Sequence, residues 1–246
     1  MVNGSMPAPA AAPAEIPAAP ARRRDSAATR ARLLHAAMEQ FALKGLDARI
    51  EDIAERAGTN RRMAYYYFGS KEGLYLAALE ATYLELVDVE KMIDVEALGP
   101  LEAVAALVSA KFEHYIKYPR YIEFLKIENL YHGRHLRASA RIDELRAPLI
   151  SVLARVLERG AALGIVRKRI DAAELYISIC ALGYFVFSNQ YTLGVVFERD
   201  LTAPAALARR RRLIIDMVTS YLTAGLPAAP APRARACAKA PARYKR

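Results

Sequence analysis

Residues 61–68 read Arg-Arg-Met-Ala-Tyr-Tyr-Tyr-Phe, a set of side chains well suited to gripping a nucleic acid. A guanidinium can bond a guanine edge with two hydrogen bonds. Phenol hydroxyls bond phosphates, and the rings meet sugars or thymine methyl groups. Successive side chains on a helix point about 100° apart, so the aromatics Tyr65 to Phe68 cannot all share one face. With Ala64 taken as inward, Phe68 falls about 40° to one side of it and Tyr67 about 60° to the other. Tyr66 then points about 200° away, beside Arg62 and Thr59, with Tyr65 on the flank. Two of the aromatics are therefore expected to seal a small core and two to face outward.

Such a helix needs neighbours to hold it. The preceding residues Ile50, Ile53, Ala54 and Ala57 recur at the spacing of one helix face, and Gly58 follows them. Glycine takes up a left-handed turn without steric cost, and either Thr59 or Asn60 can cap the helix that starts next. This is the spacing of a helix-turn-helix, whose second helix lies in a DNA major groove. Upstream, Leu34, Ala37 and Phe41 share a face of a helix that ends at Gly45. Downstream, Gly69 closes the short helix, and a long one opens at Ser70 and runs to about Ile93.

The stretch "AGTNRRMAYYYFGSKEGLY" resembles the recognition-helix signature of the tetracycline-repressor (TetR) family. The likeness covers residues 28 to about 82, including Leu33 to Ala37 and the Phe41 to Gly45 spacing. It implies that Tyr65 and Lys71 contact phosphates. It also implies that Thr59, Asn60, Arg61, Arg62, Met63 and Tyr66 read bases or touch the backbone. The chain departs from the pattern in two places. Ala48 and Arg49 stand where the family usually has two threonines, so Arg49 would replace a hydroxyl–phosphate bond with a charge-assisted one. Arg62 replaces a small residue, which implies a different operator sequence.

Composition alone is a weaker guide. The net charge is +10, but the last twenty residues hold six basic residues and no acid. Residues 1–25 and 227–246, rich in Ala and Pro, are expected to be disordered tails. The arginines 22–24 offer an arm for phosphates or the minor groove, although a charge run is more often simply solvated. Cys180 and Cys237 form no disulfide framework, and Cys180 is expected to be a small buried hydrophobe. A reducing cytoplasm fits, and the N-terminus lacks a signal-peptide core. Residues 175–197 carry no charge, which is long enough for a membrane span. Asn189 and Gln190 interrupt them, so a buried helix is the preferred reading and membrane attachment the alternative.

The remaining apolar spacing is helical throughout, giving an all-α chain of about nine helices. Segments are expected over 100–118, 120–131, 136–160 with a kink or break at Pro148, the uncharged stretch, and from Pro204 to Gly225. The helix-turn-helix domain is placed at 26–72, and a larger helical effector-binding and dimerisation domain at 73–226. His114, Tyr115, Phe124, Tyr131, Tyr184, Phe187 and Gln190 are the candidates for an effector pocket with polar handles. His132 and His135 form an i, i+3 pair that is expected to be accidental rather than a metal site, and no metal or other cofactor is expected. No pattern of catalytic residues stands out, so an enzyme is not expected. The resemblance implies a homodimer through helices around 172–193 and 204–224, bound to a double-stranded DNA operator. Within the family, the protein is expected to be a repressor relieved by a small molecule, with an activator as the alternative.

Overall fold

The computed structural model describes residues 19–226, so most of the two expected tails, including Cys237, lies outside the described residues. Helix is the only regular structure among them. In chain order the helices are α1 (Ala19–Lys44), a 3-10 turn (Gly45–Asp47), α2 (Ile50–Arg56), α3 (Arg61–Phe68) and α4 (Lys71–Lys91). There follow α5 (Pro100–Lys117), α6 (Pro119–Leu130), α7 (Arg134–Arg137), α8 (Ile142–Ala162), α9 (Ala172–Ser188), α10 (Gln190–Phe197) and α11 (Pro204–Thr223). Prolines open α5, α6 and α11, where a missing backbone N–H costs nothing. Helix α1 begins at Ala19, so it extends into the stretch expected as tail.

The described residues form two compact units. The first is the described part of Met1–Glu85 together with Tyr118–Ile142. Its core is made by Leu33, Ala37 and Phe41 of α1, Ile53 and Ala54 of α2, Ala64 of α3, and Leu74, Tyr75 and Leu79 of α4, all buried. Phe124 of α6 completes it, its ring 5.5 Å from that of Tyr75. This unit positions the candidate site.

The second unit comprises Leu86–Lys117 and the described residues from Asp143 onward, where α5 packs on α9 and α11. Phe112, Tyr115 and Phe187 meet with ring separations of 5.3 and 5.8 Å. Asp171 caps α9, accepting from the backbone N–H groups of Ala173 and Glu174. Arg159 on α8 donates to the carbonyls of Val95 and Leu98 and to the Glu96 carboxylate, tying down the loop before α5.

The structure departs from the sequence reading in three further places. The chain expected as one helix over 136–160 is broken at 138–141, after the four-residue α7, and α8 runs on through Pro148. The uncharged stretch is not one rod, because α9 and α10 meet at a bend of 73° beside Asn189. No single described helix is long and apolar enough to cross a membrane. Cys180 is half-buried rather than buried.

Candidate nucleic-acid interface

Helix α3 is the centre of the site, and its two neighbours fix it by its inner face. Gly58 takes the left-handed conformation, φ 63°, that turns the chain out of α2. Asn60, not Thr59, is the cap: its side-chain carbonyl accepts from the Met63 N–H at 3.2 Å. Ala64 is buried, and Met63, Tyr67 and Phe68 pack half-buried on the core. The Tyr67 hydroxyl is 3.0 Å from Ser26 Oγ, joining α3 to α1, and the Arg30 guanidinium lies 4.9 Å over the Phe68 ring. The turn into α4 is equally constrained. A Cβ on Gly73 would sit 2.2 Å from the carbonyl oxygen of Phe68, so no larger residue fits where α4 begins.

The outer face is left to solvent. Tyr66 is 75% exposed and Tyr65 46%. Arg61 and Arg62 are exposed beside them, and Thr59 is half-exposed. Lys71 is half-buried in the first turn of α4. Met63 is thus the member of the predicted set whose side chain also serves the core, and Asn60 has its amide oxygen committed to the cap.

Charge is not free everywhere on this surface. Arg61 donates to Glu51 at 3.1 Å, and Arg49 lies 3.9 Å from the same carboxylate. Lys44 pairs with Asp52 at 2.8 Å and Arg56 with Glu39 at 2.6 Å. A hydrogen bond from its own backbone amide, then the one from Arg61, holds Glu51 below the usual carboxylate range. Asp52 is lowered as well, chiefly by Lys44. Glu51 is absent from the residues the sequence singled out. Its only signal there was its place two residues after Arg49, in the first turn of α2.

The seven effector candidates do not form one group. His114 and Tyr115 on α5 are buried, and Tyr184 and Phe187 on α9 belong to the same unit, with Gln190 half-buried at the start of α10. Phe124 and Tyr131 belong to the first unit. There Phe124 is core, and Tyr131 lies with its ring 5.9 Å from that of His135. His135 does not pair with His132 either. It is buried against Glu128, and no described cluster of His, Cys, Asp or Glu could hold a metal.

Residues 33–78 match the family of bacterial regulatory proteins called tetR, and residues 100–218 match a tetracyclin repressor-like C-terminal domain. The chain is 34% identical over 190 residues to the HTH-type transcriptional repressor NicS of Pseudomonas putida, covering 77% of this chain and 90% of that protein. A second relative, the HTH-type transcriptional repressor SCO4008 of Streptomyces coelicolor, is 42% identical over 64 residues, 26% of this chain and 33% of that one. Among solved structures, the fold resembles the fatty acid degradation regulator FadR of Bacillus halodurans, with a TM-score of 0.58 at 20% identity. That match covers 75% of this chain and 93% of the other. The putative transcriptional regulator SCO4942 of Streptomyces coelicolor gives 0.56 at 22% identity, over 77% and 96%.

Proposed function

We propose, from the premise that this chain belongs to the tetR family of bacterial regulatory proteins, that it is a dimeric repressor releasing a near-palindromic operator when a small molecule binds its C-terminal part. As a family member it is a DNA-binding transcriptional regulator. The single observation carrying the DNA-reading assignment is the division of α3: Ala64 is buried, and Tyr66 is 75% exposed with Arg62 beside it.

In this reading, residues 26–72 meet the duplex and residues 73–226 bind effector and a second copy. Arg62 and Tyr66 enter the major groove, with Thr59 at their side. Tyr65, Lys71 and Arg49 hold phosphates, and Arg61 does so after exchanging its Glu51 partner. Asn60 and Met63 contribute chiefly by shaping α3. The cytoplasm is the compartment in which such a protein would work.

The second unit supports the dimer. Leu213, Met217 and Tyr221 recur every four residues along α11 and are each nearly half exposed. Ile177 and Phe185 on α9 are more exposed still. A groove of about 980 Å³ lies among α9, α10 and α11, its walls including Phe185, Phe197 and Leu213 with Arg209 and Asp216. Apolar residues fringed by both signs of charge suit a two-fold partner presenting the same face. Two-fold symmetry would set two α3 helices on successive major grooves.

In this reading the effector binds where α5 meets α9, around His114, Tyr115, Tyr184, Phe187 and Gln190, the five candidates that share the second unit. Binding there would favour one of two arrangements of the chain by its differential affinity for them. Mapping DNA protection by the purified protein, with and without candidate metabolites, tests the reading. A protected inverted repeat that one metabolite clears supports it. Uniform protection of any sequence would overturn it.

A further inference from the structure

The first unit contains a buried carboxylate that none of the DNA-contacting roles uses. Glu128 of α6 is 3% exposed. Its Oε1 accepts from the Tyr75 hydroxyl at 3.0 Å and is 2.7 Å from His135 Nδ1. Its Oε2 accepts from the backbone N–H of Leu136 at 3.0 Å. Arg134 Nη2 lies 3.2 Å from His135 Nε2. A guanidinium only donates, so Nε2 accepts there and Nδ1 carries the hydrogen it gives to Glu128. Three donors from two other helices thus converge on one carboxylate: a phenol from α4, and an imidazole and a backbone amide from α7.

This arrangement is costly to assemble. An ionised carboxylate taken out of water loses several kcal/mol of hydration unless its lone pairs are filled. The chain reaches it by a sharp turn in which His132, φ 55°, and Gly133, φ 66°, are both left-handed. A non-glycine residue in that region is an uncommon strain. The turn folds α7 back so that His135 and Leu136 face α6. Burial, then the Glu128 carboxylate, pushes the Tyr75 phenol well above its ordinary range, so it stays a donor.

We propose that Glu128 is a positioning residue for DNA reading, fixing the first turns of α4, and through them α3, by way of Tyr75 and His135. Tyr75 lies one turn beyond Lys71, and that turn is the one that closes against Phe68 through Gly73. Its ring also sits 5.2 Å from Phe41 of α1 and 4.6 Å from His135. Further along α4, Glu80 accepts from Ser139 at 2.6 Å, and Glu85 pairs with Arg120. Helix α6 and the segment that follows α7 therefore hold α4 at three points within the first unit. A solely structural network would keep the chain folded but have no bearing on which sequence α3 prefers.

The inference rests on the DNA-reading assignment, and the test separates the two. The probe is the duplex that the wild-type full-length protein enriches from a randomised pool, compared with unselected duplex of equal length. Tyr75→Phe keeps the ring and removes one donor; Glu128→Gln keeps the shape and removes the charge. Each is expected to lose about tenfold in preference for the enriched duplex, the scale of one hydrogen bond to a buried charge. Binding to unselected duplex and its salt dependence are expected to stay as in wild type, since no phosphate contact is lost. If Glu128→Gln does not fold, Tyr75→Phe carries the test. A folded Tyr75→Phe that discriminates as wild type does, even with a lower melting temperature, overturns the proposal. A wild-type protein that enriches no sequence overturns the DNA-reading assignment itself, and this inference with it.

Discussion

Single side chains on and around α3 have separable tasks, and their removal should be felt in different measurements. Asn60→Ala deletes the cap of an eight-residue helix and is expected to cost about 1 kcal/mol, read from thermal or denaturant unfolding. Glu51→Gln leaves Arg49 and Arg61 without their shared carboxylate. Affinity for unselected DNA should rise, because Arg61 no longer has to leave a carboxylate to reach a phosphate, while the slope of log affinity against log salt stays close to that of wild type. An unchanged affinity would mean that neither arginine leaves Glu51 for a phosphate. The outward and inward assignments along α3 were legible because its period and Ala64 decide them. The Asn60 cap was one of two open choices, decided only by the observed turn. Glu51 and Glu128 were not legible, since turns between helices bring most of their partners to them, and no period along one helix announces such pairs.

At the scale of elements, the long helices were readable from apolar spacing and from the prolines at 100, 119 and 204. The misses share a cause. Helix α7 spans four residues, too few to show a period, and it exists because Glu128 receives its first turn. The bend between α9 and α10 interrupts a run that composition presents as continuous. The first turns of α2 and α4 also carry a pH signature. Glu51, Asp52 and Glu72 are each held below the usual carboxylate range, so in that window the unfolded chain binds more protons than the folded one. Their contribution is complete above the ordinary carboxylate values and disappears as pH falls through the lowered ones. The melting temperature should therefore decline on acidification below that range. Replacing all three by their amides should flatten the decline.

For the whole molecule, a one-helix reading surface has to become selective. One α3 spans few base pairs; a two-fold pair of them, spaced by the dimer, specifies a repeat with fixed separation. The exposed apolar residues of α9, α10 and α11 are the surface that would set that spacing. Val195 is 79% exposed and Leu213 48%. Placing a glutamate at both positions should give a monomer by light scattering with helical content retained, and operator affinity should fall far more than affinity for unselected DNA. A dimer that survives both substitutions would place the interface elsewhere.

The most direct measurement is sequence preference after the outer face of α3 is cut back. With Arg62→Ala and Tyr66→Ala together, the full-length protein should keep its dimeric mass and helix content and bind enriched and unselected duplexes with equal affinity. If that variant still prefers the wild-type sequence by the original margin, the reading surface is not the one α3 turns to solvent.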